Sequence, residues 1–123
     1  MNIHPLRIGP VLREILLEND IIAQRVEDRI FPYTSKEKVP LPHIMYDGVT
    51  VDYEETKDGA VPTEVGLSLN VNTSEYMEGI EFSEEVLDVL AEHGAIVPIS
   101  ADCEYDSAAT MFTHKLTIKV YIQ

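Results

Sequence analysis

Few residues in this chain have types and spacing that suit chemistry. The sharpest pair is Cys103 and His114. A thiol beside an imidazole is the minimum for a nucleophile with its base. Both lie in "ISADCEYDSAATMFTHKLTIKVYIQ", which reads as a hairpin with its tip near residues 107–110. One register sets Cys103 opposite His114, Ala101 opposite Leu116 and Tyr105 opposite Phe112. Continued towards the strand ends, it sets Ile99 opposite Ile118 and Val97 opposite Val120. Asp102 meets Lys115 on the other side. Cys103 and His114 then share the apolar side with Ala101 and Leu116, and no oxyanion donor stands near them. Packing accounts for the pair better than a hydrolase dyad does.

Metal and phosphate chemistry fare no better. His4, His43, His93 and His114 lack partners at ligand spacing. Cys103 is the single cysteine, so no internal disulfide forms. Asp102, Glu104 and Asp106 line one side of a strand, and carboxylates at that spacing suit a cation. A charged strand edge that discourages stray pairing carries the same pattern, and that reading is the stronger. No P-loop, G-x-G-x-x-G, G-x-S-x-G or C-x-x-C is present. The expectation is a protein without catalytic, cofactor-binding or metal residues: not an enzyme.

The elements around these residues are legible. Residues 1–123 suit a single domain. "PLRIGPVLREILLEN" carries Ile8, Leu12, Ile15 and Leu16 at helical spacing, with Asn19 as its stop. Asp20 is placed to cap a short second helix, "IIAQRV". "RIFPYTSKEKVPLP" follows as a connector stiffened by Pro32, Pro40 and Pro42. Strand A is "HIMYDGVTVDY", whose apolar parity switches at Asp47-Gly48, as a bulge requires. Strand B is "EVGLSLNVN", alternating at Val65, Leu67, Leu69 and Val71. Between them, "EETKDGAVP" carries an Asp58-Gly59 turn signal. It has no apolar anchor before Val61, so Glu54–Pro62 is expected to be the most mobile internal segment.

The main helix spans "TSEYMEGIEFSEEVLDVLAEHG". Its apolar side reads as Tyr76, Ile80, Ser83, Val86, Leu87 and Leu90, with Gly79 allowing close approach, Ser74 as cap and Gly94 as stop. Strands C and D form the last hairpin. Pro98 places C at an edge. The expected fold is α+β: a four-stranded, wholly antiparallel sheet in the order A-B-D-C, with the N-terminal and main helices on one face.

Charge narrows the partners. The net charge is −13. Residues 1–38 hold six basic and six acidic side chains, so residues 39–123 carry the entire excess. Such a surface repels the nucleic-acid backbone and anionic lipid. No apolar run approaches the ~20 residues of a membrane span, and no secretory leader is evident, so a cytoplasmic product is expected.

The order of these segments resembles the tail-completion proteins of siphophages and prophages, the tail-terminator or tail-to-head joining family. A leading helix ends in "RIFP", a proline-rich entry opens "PHIMYDGV", and a strand runs into "NTSEYMEG". The resemblance spans roughly residues 5–122, and order and spacing carry it. It implies a structural tail protein that forms a ring, usually a hexamer, and caps the tail tube. The partners implied are further copies of itself, the tail-tube protein and the head-connector protein. DNA passes through without specific binding, and no cofactor or membrane is involved. The protein would reside in the host bacterial cytoplasm during assembly and in the virion tail afterwards. The contact residues proposed on this basis are Glu54, Glu55, Lys57 and Asp58 on the first hairpin, and Asp102, Glu104 and Asp106 on strand C. A small ligand- or protein-binding domain is the alternative.

Overall fold

In the computed structural model, residues 3–33 and 39–122 are described. The middle of the proline-rich connector, residues 34–38, lies outside them, as do the chain ends. His4 Nδ1 accepts from the Leu6 amide and opens a 3-10 turn, Pro5–Arg7. Helix α1 follows, Ile8–Leu17. Asn19 does not stop α1 so much as start α2, Asp20–Val26: its Oδ1 accepts from the amides of Ile21 and Ile22. That side chain satisfies two of the amide donors a helix start leaves open. Asp20 sits in the first turn instead of capping it.

The sheet has five strands: β1 Ile30–Pro32, β2 His43–Thr56, β3 Gly59–Thr73, β4 Ile96–Asp106 and β5 Met111–Tyr121, in the order β1-β2-β3-β5-β4. The expected four-stranded, purely antiparallel sheet is therefore incorrect. β1 adds a fifth strand, and it runs parallel to β2, pairing Ile30 with Ile44 and Pro32 with Tyr46. Three residues ending in proline show no period, so in sequence this stretch reads as part of the connector. Proline cannot donate to a ladder, which restricts such a segment to a sheet edge, and β1 is an edge strand. Arginines fasten it. Arg13 Nε donates to the Ile30 carbonyl at 2.9 Å and its Nη2 to that of Asp28 at 3.1 Å. Arg29 donates to the carbonyls of Pro42 and Arg25.

Three shifts set the register; one lies between Asp52 and Tyr53, where the β2–β3 ribbon leaves the body of the sheet. The first falls between Asp47 and Thr50, where Gly48 takes φ +67°. That left-handed conformation is cheap only without a Cβ, and it returns Val51 to the side of Val65. The third, in the last hairpin, departs from the expected register. From Ser100 to Asp106 the β4–β5 pairs are Cys103 with His114 and their neighbours in step, but a shift falls between Pro98 and Ser100. Pro98 pairs with Ile118 and Ile96 with Val120. The expected Val97–Val120 and Ile99–Ile118 neighbours are thus wrong by one. Slipping the strand buries Ile96 at 4 % exposure and leaves Ile99 outside at 53 %.

Helix α3, Tyr76–Ala91, bridges β3 to β4 and lies on the same side of the sheet as Val65, Leu67, Leu69, Leu116 and Ile118. Its buried side is Gly79, Phe82, Ser83, Val86 and Leu90. The expected side was rotated: Tyr76 is half exposed, Ile80 and Leu87 are only partly covered, and Phe82 is fully enclosed. Phe82 turns towards α2, where the Arg25 guanidinium lies 5.5 Å above its ring. Glu85 grips that guanidinium with both oxygens, at 2.7 and 2.9 Å. Ser74 does not cap α3. Glu75 occupies the cap position without a side-chain bond, and the buried Thr73 hydroxyl donates to its carbonyl at 2.8 Å.

Candidate assembly surfaces

The two hairpins that carry the predicted contact residues point to opposite ends of the sheet. Glu64, on β3, pairs with Tyr121 near the end of β5; Thr73 pairs with Phe112 near its start. Beyond Glu64, β2 and β3 continue as a two-stranded ribbon through Tyr53–Pro62 to a turn at Lys57-Asp58. Glu54, Glu55, Lys57 and Asp58 are all exposed on it. A ribbon of that length reaches roughly 15 Å beyond the body, at ~3.4 Å per residue. The Thr56 hydroxyl closes its tip, donating to the Gly59 carbonyl and accepting from the Asp58 amide. Tyr53 and Val61 are about half exposed along it.

Asp102, Glu104 and Asp106 lie on β4 at the far side of the sheet. The structure therefore brings together each set, but not the two sets with each other. Asp106 also has a local task. Its Oδ1 accepts from the amides of Ala108 and Ala109 and shapes the β4–β5 turn. Only Asp102 and Glu104 are left as an outward carboxylate row.

The Cys103–His114 pair is adjacent, with Sγ and Nδ1 4.0 Å apart. Its electrostatics oppose nucleophilic use. Burial pushes the thiol up from its usual value, and the nearby Asp102 and Glu104 carboxylates push it further. Burial also holds the His114 imidazole below its usual range. A thiol made harder to ionise beside a weaker base is the reverse of an activated pair. Among the described residues, no three His, Cys, Asp or Glu side chains converge as a metal would need.

Sequence reasoning missed two features near these surfaces. One is a groove of about 260 Å³ between α3 and the last hairpin, lined by Tyr76, Ile80, Leu87, Ala101 and Leu116 among others. Tyr76 also packs in a ring cluster with Phe112, which in turn meets Tyr105, with centroids 5.7 and 4.6 Å apart. Assigning Ile80 and Leu87 to the core concealed it.

The other is a buried polar chain. His43 Nε2 and Asn72 Nδ2 lie 2.9 Å apart, His43 Nδ1 faces the Pro40 carbonyl, and Thr113 donates to Asn72 Oδ1 at 2.6 Å. The sign of it was Asn70-x-Asn72 in a strand whose alternate residues are apolar. Burial, chiefly, holds the His43 pKa below its usual 6.5. An imidazole that folds neutral leaves the unfolded chain holding more protons below that pH. Its contribution to stability is therefore complete above about 6.5 and declines as pH falls through that value. We expect His43→Gln to destabilise the protein clearly at pH 8, and the gap from wild type to narrow towards pH 5. Urea titrations across that range measure it, and parallel curves would contradict it.

No protein-family model matches the chain, and no curated protein does. Among solved structures, the chain is similar to one from the virion of a native gene transfer agent particle. The TM-score is 0.74, with 94% of this chain and 93% of the other covered. Their sequences are 15% identical, so the likeness is one of fold, and it extends over nearly the whole of both chains.

Proposed function

We propose that this chain is a structural protein of a phage-like tail, a tail terminator or head–tail joining component that assembles into a closed ring. The observation that carries the reading is the fold shared, almost end to end, with a chain of a gene transfer agent virion. The ring, a hexamer on this reading, caps the tail tube, meets the head connector and lets DNA pass. A net charge of −13 suits a channel wall to which DNA must not adhere. Assembly takes place in the host cytoplasm, and the finished ring belongs to the virion tail.

A repeated head-to-tail interface closes into a ring when its rotation divides the circle. The projecting β2–β3 ribbon suits the contact between copies, because Tyr53 and Val61 are apolar surface that the chain itself leaves half exposed. The charge-balanced N-terminal third suits the receiving side. Repulsion between copies opposes closure and is screened over ~10 Å at 0.1 M salt. We expect monomers at low ionic strength, and rings as salt rises or tail tubes are added. Light scattering and electron microscopy over a salt series, with and without tubes, read this out. A monomer under every condition, with no attachment to tube ends, refutes the proposal. The groove beside α3 favours a second reading, a small protein-binding domain, and that outcome would leave it standing.

A further inference from the structure

We propose that the outer edge of β4, from Ser100 to Asp106, takes up an extended segment of a partner protein in which apolar residues alternate with lysine or arginine. The inference rests on the edge itself and does not require the ring.

β4 is the terminal strand of the sheet, and among the described residues only β5 pairs with it. It is eleven residues long, and every residue from Pro98 to Asp106 is exposed. A long open edge presents a row of unpaired amides and carbonyls, and an added strand is its natural complement. Pro98 and the bulge after it interrupt the ladder, so regular pairing is available from Ser100 onwards.

The two sides of that edge ask for different residues. On the helix side lie Ala101 and Cys103, opening into the groove against Ile80, Leu87 and Leu116. Ser83 and His114 also line it, at 6 % and 8 % exposure, and among the described residues the buried Ser83 Oγ and His114 Nε2 find no hydrogen-bond partner. Buried polar atoms are normally paired, so the wall of the groove is not fully satisfied within the chain. On the other side stand Asp102 and Glu104, with Lys115 of β5 cross-strand from Asp102; Asp102 also borders the groove, as does Glu84 of α3. A strand laid beside β4 alternates its side chains with the same period. One set enters the apolar groove, and the other stands beside the carboxylates, where opposite charge is favoured.

A second copy of this chain fits poorly. Its β1 edge is three residues ending in Pro32, too short for a seven-residue ladder; the unpaired stretch of its β2 carries Asp52, Glu54 and Glu55, and its β4 carries Asp102 and Glu104, each of which would set like charges side by side. The partner is therefore a different and basic segment.

Two fluorescent hexapeptides test this by anisotropy at low salt: one alternating Val with Lys, the other alternating Val with Glu. We expect the Lys peptide to bind and the Glu peptide to bind at least tenfold more weakly. Asp102→Asn with Glu104→Gln should weaken the Lys peptide roughly tenfold, the scale of two exposed ion pairs. Glu54→Gln with Glu55→Gln removes the same charge elsewhere and should leave binding unchanged. Ala101→Glu should abolish it by filling the groove mouth. All these positions are exposed, and amide spectra of each variant report its fold. In the wild type, amide shifts on binding should concentrate in residues 100–106. Equal binding of the two peptides, equal loss in the hairpin control, or shifts centred on β2 overturns the proposal. So does protection of the β4 amides that rises with protein concentration alone, because that assigns the edge to a second copy.

Discussion

Phe82→Ala should cost about 3–5 kcal/mol of folding stability, the range for removing a buried aromatic ring. That is a large fraction of the ~5–15 kcal/mol by which a domain is normally stable. Phe82 is completely enclosed. Its ring fills the junction where α2 meets α3, under the Arg25 guanidinium that Glu85 holds in place. Truncation leaves a cavity and also removes the surface on which Arg25 rests, so the α2–α3 contact weakens with the core. The bidentate Arg25–Glu85 pair is about one-third exposed on each side, and solvent screening keeps its own share small beside that of the ring. Urea unfolding should show a lower midpoint with an unchanged slope. Phe82→Leu should recover most of the loss, because it keeps most of the volume. A cost below about 1 kcal/mol for Phe82→Ala would mean that the ring is not the support described.

Phe82 also shows where the sequence was hard to read. In "EYMEGIEFSEEVLDVL" two apolar stripes compete: Ile80, Val86, Leu87 and Leu90 on one reading, Phe82, Val86 and Leu90 on the other. Periodicity cannot choose between stripes that share residues. Arg25 and the α2 interface decide it, and they lie far away in the chain. Strand β1 was illegible for a related reason. Three residues cannot show a period, and what makes them a strand is the pairing with Ile44–Tyr46 and the reach of Arg13. Features that depend on near neighbours in sequence were legible. The β4–β5 pairing about Cys103 and His114, the bulge after Asp47 and the turn before Gly59 each follow from local alternation or turn chemistry. Among the candidate site residues, the exposure of Glu54, Glu55, Lys57 and Asp58 was legible, and so was the row on β4. The groove beside that row was not, because it exists only where α3 fails to cover the edge strand.

Gly79→Ala should destabilise the protein, although alanine is the better helix former by about 1 kcal/mol. A Cβ at position 79 would run into the His114 ring, and into the Thr73 hydroxyl at 2.9 Å. Neither neighbour yields easily. Thr73 is wholly buried and bonded to the Glu75 carbonyl. His114 sits between α3 and Cys103, with the Tyr76 ring 5.7 Å away. Forcing an extra methyl into packed surroundings costs about 1–3 kcal/mol, which exceeds the helical gain. The cost should shrink once the ring is removed. In a His114→Ala background the Thr73 hydroxyl still stands 2.9 Å from the added methyl, so Gly79→Ala should cost clearly less than in the wild type without becoming stabilising. The two substitutions are therefore expected to couple by roughly 1–3 kcal/mol in a double-mutant cycle measured by urea unfolding. Additive effects would show that the ring and the helix backbone are not in contact. The same cycle bears on the groove. If Gly79→Ala pushes the imidazole outward while the domain stays folded, His114 must move into the space that the partner strand is proposed to fill. Binding of the alternating Val-Lys peptide should then fall in Gly79→Ala and return in the double variant.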